Sequence, residues 1–102
     1  MEKVIRDGDV AVLYSPGFGA GWYTWHHKLE LVFSPVVVAM VETGFRSQIA
    51  GWVKELYPDA YICTVGAVDL QIEWLPVGTT FEIEEYDGSE SVRLADRKWL
   101  TA

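Results

Sequence analysis

A single cysteine, Cys63, occurs among the 102 residues, which excludes an intrachain disulfide framework. It sits in the apolar run Ala60 to Val65 and reads as a buried small hydrophobe rather than a reactive thiol. Positive charge is also scarce. Eight Lys and Arg stand against fifteen Asp and Glu, for a formal net charge of −7. That argues against direct binding to nucleic acid or to an anionic membrane, both of which need basic patches. It leaves room for cationic ligands, basic partner proteins or metal ions, while its first effect is to keep a chain soluble. No long hydrophobic run is present. The longest, Val36 to Val41, is far short of the ~20 residues that cross a bilayer. Glu2, Lys3 and Arg6 interrupt the first residues and no apolar signal-peptide core follows, so the expectation is a cytoplasmic protein with no membrane association. There is no Gly-Lys-Ser/Thr loop, no Gly-x-Ser-x-Gly elbow and no zinc-ligand spacing, and no cofactor, metal or catalytic residue is assigned. Repeats, low-complexity tracts and linkers are absent too, so residues 1–102 are expected to form one domain.

What the chain does have is concentrated in Ser15 to His27. Three glycines, Gly17, Gly19 and Gly21, precede Trp22, Tyr23 and Trp25, and both histidines, His26 and His27, close the stretch. Glycines let another backbone or a ligand come close, and each large ring buries roughly 150–250 Å² when covered. In an extended segment Tyr23 and Trp25 share one face. An aromatic-walled pocket with a glycine rim is one interpretation; a tight loop with core aromatics is the other. The Gly-x-Gly-x-Gly spacing is not a dinucleotide fingerprint, whose third glycine comes one residue later.

Along the chain, Asp7-Gly8 predicts a hairpin over Lys3 to Tyr14. Leu29 to Phe33 alternates like a short strand. Ser34-Pro35 predicts a helix start and Gly44 its stop, although the β-branched interior from Val36 is a poor helix former and a strand is the alternative. Arg46 to Tyr57 carries an apolar stripe at Ile49, Trp52, Val53, Leu56 and Tyr57, which predicts an amphipathic helix ended by Pro58. Tyr61 to Val65 reads as a short strand. Val68 to Trp74 reads as a half-buried strand with Val68, Leu70, Ile72 and Trp74 inward. Leu75 to Gly78 turns the chain. Thr80 to Tyr86 is the next strand, with Phe81 and Ile83 on one face and Glu82 and Glu84 on the other. Asp87-Gly88 is a second hairpin turn, Ser91 to Ala95 returns, and Trp99-Leu100 pins the tail. Strands flanking two helices without βαβ alternation predict an α+β fold, a mainly antiparallel sheet with two helices packed on one face.

The segments Val12 to Trp22 and Ile72 to Phe81, with Glu84-Glu85-Tyr86-Asp87-Gly88-Ser89-Glu90-Ser91, resemble a family of small uncharacterised proteins found in bacteria and on mobile elements such as phages and integron gene cassettes. The resemblance implies no activity or ligand. It implies that the glycine-aromatic loop and the Glu-Tyr-Asp-Gly-Ser-Glu turn belong together. The expected function is a non-enzymatic binding or interaction domain, with Trp22, Tyr23, Trp25 and His26 as contacts and Tyr86, Asp87 and Glu90 on an acidic flank. Its partner would be a small-molecule ligand, a basic protein, or a second copy in a homo-oligomer, where Trp and Tyr are enriched. Two alternatives stay open. One is a small hydrolase or isomerase with His26 or His27 as base and Glu85 or Asp87 as its carboxylate partner. The other is an acidic inhibitor of a nucleic-acid-binding protein.

Overall fold

Asp7 and Gly8 both adopt positive φ, 51° and 82°, the backbone of a two-residue hairpin turn. They join strand β1 (Ile5–Arg6) to β2 (Asp9–Tyr14) in the register Ile5↔Val10. The computed structural model describes residues 1–94 and 100–102. Strand β2 is the centre of an antiparallel sheet and pairs along its whole length with β3 (Gln71–Pro76), from Asp9↔Pro76 to Tyr14↔Gln71. Val10, Ala11, Val12 and Leu13 are all fully buried. Four consecutive buried residues in a strand require cover on both faces, because successive side chains point to opposite sides.

The two covers are different. Ala11 and Leu13 meet a helical layer, packing with Val37, Val38, Val41, Ile49 and Val53. Val10 and Val12 meet a second sheet through Phe33, Leu75, Phe81 and Ala102. That sheet is antiparallel in the order β5-β4-β6, from β4 (Thr80–Tyr86), β5 (Ser89–Leu94) and β6 (Leu100–Thr101). The protein is therefore an α+β domain of three layers. The expected helices lie on one face of the first sheet, and Thr80 to Leu94 builds a separate sheet on its other face.

Helix α3 (Pro35–Glu42) starts as its caps require. The Ser34 hydroxyl accepts the Val37 N–H at 3.3 Å, Pro35 takes the first turn, and Gly44 ends the helix at φ 82°. Its valines are poor helix formers by up to about 0.7 kcal/mol each, but each buried one gains on the order of 1.5 kcal/mol. Val37, Val38 and Val41 are buried, so burial decides. The Arg46 to Tyr57 helix opens with a 3-10 turn, Arg46–Gln48, and continues as α4 (Ile49–Leu56). Ile49 and Val53 are buried, Trp52 and Tyr57 half-buried, and Leu56 mostly exposed.

Four local expectations are corrected. Leu29 to Phe33 is a single helical turn, α2 (Glu30–Phe33). It lies where the two cores meet, so Leu31 enters the helical core while Val32 and Phe33 enter the sheet core. Consecutive residues aimed into different cores suit a helical turn, not a half-buried strand. Tyr61 to Val65 forms no strand: Tyr61 and Val65 are exposed, Cys63 is half-buried with a free thiol, and a 3-10 turn runs over Val65–Asp69. Val68 lies in that turn and is exposed; Leu70 is buried just ahead of β3, whose expected inward residues are therefore only Ile72 and Trp74. Finally, Tyr23 and Trp25 lie in a short helix, α1 (Tyr23–His26), ended by His27 at φ 58°, rather than on one face of an extended segment. Trp99 and Ala95 fall outside the described residues.

A clamped loop cluster as candidate recognition site

Strands β2 and β5 deliver the two suspect segments to the same end of the molecule. The link is Glu90, which is only 2 % exposed. Its Oε1 accepts the Ser15 N–H at 2.9 Å. Its Oε2 accepts both the Thr24 N–H at 2.9 Å and the Thr24 hydroxyl at 2.6 Å. Its own N–H donates to the Ser15 carbonyl at 2.7 Å. A buried carboxylate needs such donors, and hydrogen bonds to a charged group are about twice as strong as neutral ones. The remaining bonds draw the same parts together. The Gly19 N–H donates to the Asp87 carbonyl at 3.0 Å, and the Ser89 hydroxyl to the Pro16 carbonyl at 2.7 Å. The Ser15 hydroxyl donates to the Gly66 carbonyl at 2.9 Å, which brings in the Val65–Asp69 turn.

Two glycines show how close the three loops lie. A Cβ on Gly88 would sit 2.5 Å from the Ala20 nitrogen, and its φ of 84° is itself left-handed. A Cβ on Gly66 would sit 2.3 Å from the Gly21 carbonyl oxygen. Backbone against backbone at this distance leaves no room for any side chain. The glycine loop, the 65–69 turn and the β4–β5 hairpin tip are one locked unit, so the expected association of the loop with the hairpin turn is present.

The expected contact residues divide sharply. Trp22 is fully buried and its indole N–H donates to the Leu31 carbonyl at 2.8 Å. It belongs to the helical core and is not a contact. Glu90 is likewise internal, the clamp rather than part of an acidic flank. His26 is half-buried, stacked edge-on to Trp22 with ring centroids 4.7 Å apart. Its Nδ1 accepts the Lys28 N–H at 2.9 Å, which places the ring proton on Nε2. That Nε2 is buried without a hydrogen-bond partner among the described residues. Burial, and then the charge of His27, hold its pKa down at about 4. A neutral ring whose acceptor nitrogen is occupied has no lone pair for a substrate, so this arrangement does not make His26 a general base. Tyr23 is half-buried against the sheet core. Trp25, Tyr86 and Asp87 do face solvent, at 43 % exposure for Trp25 and 81 % for Tyr86.

Three exposed apolar residues on the same unit were not anticipated. Phe18 is 77 % exposed, and Val65 and Val68 are also largely exposed. Phe18 immediately precedes Gly19, and Tyr86 immediately precedes Asp87, the two residues joined by the loop-to-hairpin bond. Trp25 lies against Gly21, and Val65 and Val68 flank the Gly66-Ala67 pair that docks the turn. The signal for Phe18 was its setting between two glycines, where no neighbouring side chain can shield it.

The histidines do not converge on the acidic turn. His27 instead lies near Tyr23, with ring centroids 6.0 Å apart, and shares with it a cavity of about 280 Å³ lined also by Glu82, Ile83 and Leu100. Among the described residues no group of three or more His, Cys, Asp or Glu is placed to hold a metal ion, and no helix is long and apolar enough to cross a membrane. Compared with known proteins, the chain matches no protein-family model, no curated protein and no solved structure.

Proposed function

We propose that this is a non-enzymatic interaction domain whose recognition surface is the clamped loop cluster, with Phe18, Trp25 and Tyr86 as its aromatic contacts and Val65 and Val68 beside them. One observation carries this: the loops are tied together from within by Glu90 while Phe18, Tyr86 and part of Trp25 are exposed to solvent. Exposed apolar side chains on loops that are joined to one another support an interaction site. Tyr and Trp dominate binding hot spots, and a surface already ordered before binding loses less entropy on forming a complex. The partner is a basic protein or a second copy of the chain, acting in the cytoplasm of a bacterium, the setting implied by the resemblance to proteins of mobile elements.

The test is the double variant Phe18→Ser/Tyr86→Ser. Both side chains are exposed, so the unfolding temperature should stay within a few degrees of wild type while partner capture or self-association is lost. A variant that unfolds would return these residues to a structural role, and a variant that still binds would remove the surface from consideration.

A second reading has its own observation. The cavity formed by Tyr23, His27 and Glu82 brings one imidazole and one carboxylate over the apolar floor of Ile83 and Leu100. This supports a small-molecule site, or the His/carboxylate pair of a small hydrolase or isomerase, with His27 as the base and Glu82 in place of Glu85 or Asp87. A His27→Ala variant that leaves every ligand-induced thermal shift unchanged would dismiss it.

A further inference from the structure

The loop cluster combines two properties that together specify a partner. Its exposed contacts are aromatic, and the loops that carry them contain no Lys or Arg. No Lys or Arg occurs between Arg6 and Lys28, nor between Lys54 and Arg93, and these two stretches supply the glycine loop, the 65–69 turn and the hairpin tip. Carboxylates occur in the same loops. Asp69 stands against Gly17, where a Cβ would meet its side chain. Asp87 is at the hairpin tip at φ 52°, and Glu85 beside it accepts the Gly88 N–H at 2.9 Å. Arg46, beside Asp69, donates its Nε–H to the Leu70 carbonyl at 2.8 Å, and Arg93, opposite Glu82 and away from the hairpin tip, pairs with Glu84 at 2.6 Å.

We infer that the loop cluster docks a lysine- or arginine-bearing segment of a partner protein, whose cations stack on Phe18, Tyr86 and Trp25 and are neutralised by Asp69 and Asp87. A cation over an aromatic face is attracted by the ring quadrupole, and aromatic loops that hold carboxylates and no Lys or Arg also steer positive partners towards them. A neutral apolar partner would leave the carboxylates of these loops without a counter-charge, and an acidic one would be repelled by them. This inference rests on the loop cluster being the recognition surface, and it adds the chemistry of what binds there.

The experiment uses the full chain and two labelled eight-residue peptides in fluorescence anisotropy. One alternates arginine with serine. In the other, citrulline replaces each arginine, keeping shape and removing charge. The arginine peptide should bind at least about tenfold more tightly and weaken as salt is raised. Phe18→Ser/Tyr86→Ser, which leaves the protein's charge untouched, should weaken it by about tenfold, which diffuse attraction to an acidic protein would not do. Asp69→Asn/Asp87→Asn should weaken it comparably and flatten the salt dependence; asparagine tolerates the left-handed backbone at position 87. Equal binding of the two peptides, or arginine-peptide binding unaffected by the aromatic double variant, overturns the inference. If neither peptide binds wild type, yet the aromatic double variant abolishes self-association, the surface stands and its cationic partner falls. If neither peptide binds and the double variant changes nothing, both fall.

Discussion

Ser15 and Glu90 bond to each other twice: the Ser15 N–H donates to the Glu90 carboxylate at 2.9 Å, and the Glu90 N–H donates to the Ser15 carbonyl at 2.7 Å. The pair spans 75 positions of sequence and joins the end of β2 to the start of β5. It stands at the centre of the loop cluster, and its energetics can be tested by removal.

Replacing Glu90 by alanine leaves the Ser15 N–H and both Thr24 donors facing a dry space. The expected loss is about 3–5 kcal/mol, from buried donors left unsatisfied at roughly 1–3 kcal/mol each. Glu90→Gln keeps the shape but turns an amide NH₂ towards donors, and should cost about 2 kcal/mol. Urea unfolding of both variants checks this. By contrast, Glu84→Gln, which removes an exposed pair to Arg93, should leave the midpoint unchanged.

Gly8 and Gly88 give a paired test, because both have left-handed backbones, at φ 82° and 84°, but different surroundings. Around Gly8 nothing lies within 4 Å of a new Cβ, so Gly8→Ala should cost only the backbone strain, about 1–2 kcal/mol. Gly88→Ala adds a collision with the Ala20 nitrogen at 2.5 Å and should lower the unfolding temperature far more. Equal losses in the two variants would mean that the loop and hairpin are not pressed together.

The same local rules explain which parts of the fold were legible in the sequence. Asp7-Gly8, Asp87-Gly88 and the Ser34-Pro35 cap are set by backbone chemistry within two or three residues, and all are present. Leu29 to Phe33 and Tyr61 to Val68 were misread because their conformations are set by what they meet in space: two cores in the first case, the Gly21 carbonyl in the second. Glu90 looked like one more solvated carboxylate in a hairpin already holding Glu82, Glu84 and Glu85. Yet the two-residue turn places Glu85 directly opposite Glu90, and like charges so placed are destabilising. That register was readable, and it pointed to one of the two having a partner elsewhere. The site was half legible: the glycine loop was located, but Trp22 and His26 inside it are core-facing, and Phe18 was passed over.

Trp22 and Trp25, three residues apart in sequence, should respond very differently to truncation. Trp22→Ala removes a fully buried indole and its bond to Leu31, for a loss of about 3–5 kcal/mol. Trp25→Ala, at a partly exposed ring, should cost about 1 kcal/mol or less. Thermal unfolding of the two variants side by side distinguishes core from surface.

Acidification should weaken the fold in a defined order. The His26 pKa is about 4 in the folded protein against 6.5 for the free group, so between those values the unfolded chain binds the extra proton. Stability is then fully present above about pH 6.5 and falls as pH drops towards 4. Glu30, held below the usual carboxylate range by its hydrogen bond from Tyr57, adds a loss of the same sign below its ordinary value of 4.5. The Tyr57 phenol is pushed up to about 12, by burial first and by Glu30 second, and has no part in that range. In His26→Asn, whose side-chain oxygen can still accept the Lys28 N–H, the slope between pH 6.5 and 4 should flatten. An unchanged slope would assign it to other groups.

Amide hydrogen exchange at Ser15, Gly19, Thr24 and Glu90 tests most directly whether the exposed aromatics stand on a rigid base. A preorganised surface requires these amides to be protected to a degree comparable with the fully buried β2 residues Val10 to Leu13 and to open only with global unfolding. Exchange at the rate of a free loop would mean that the glycine loop and the hairpin part from each other in solution, and the recognition surface proposed here would lose its foundation.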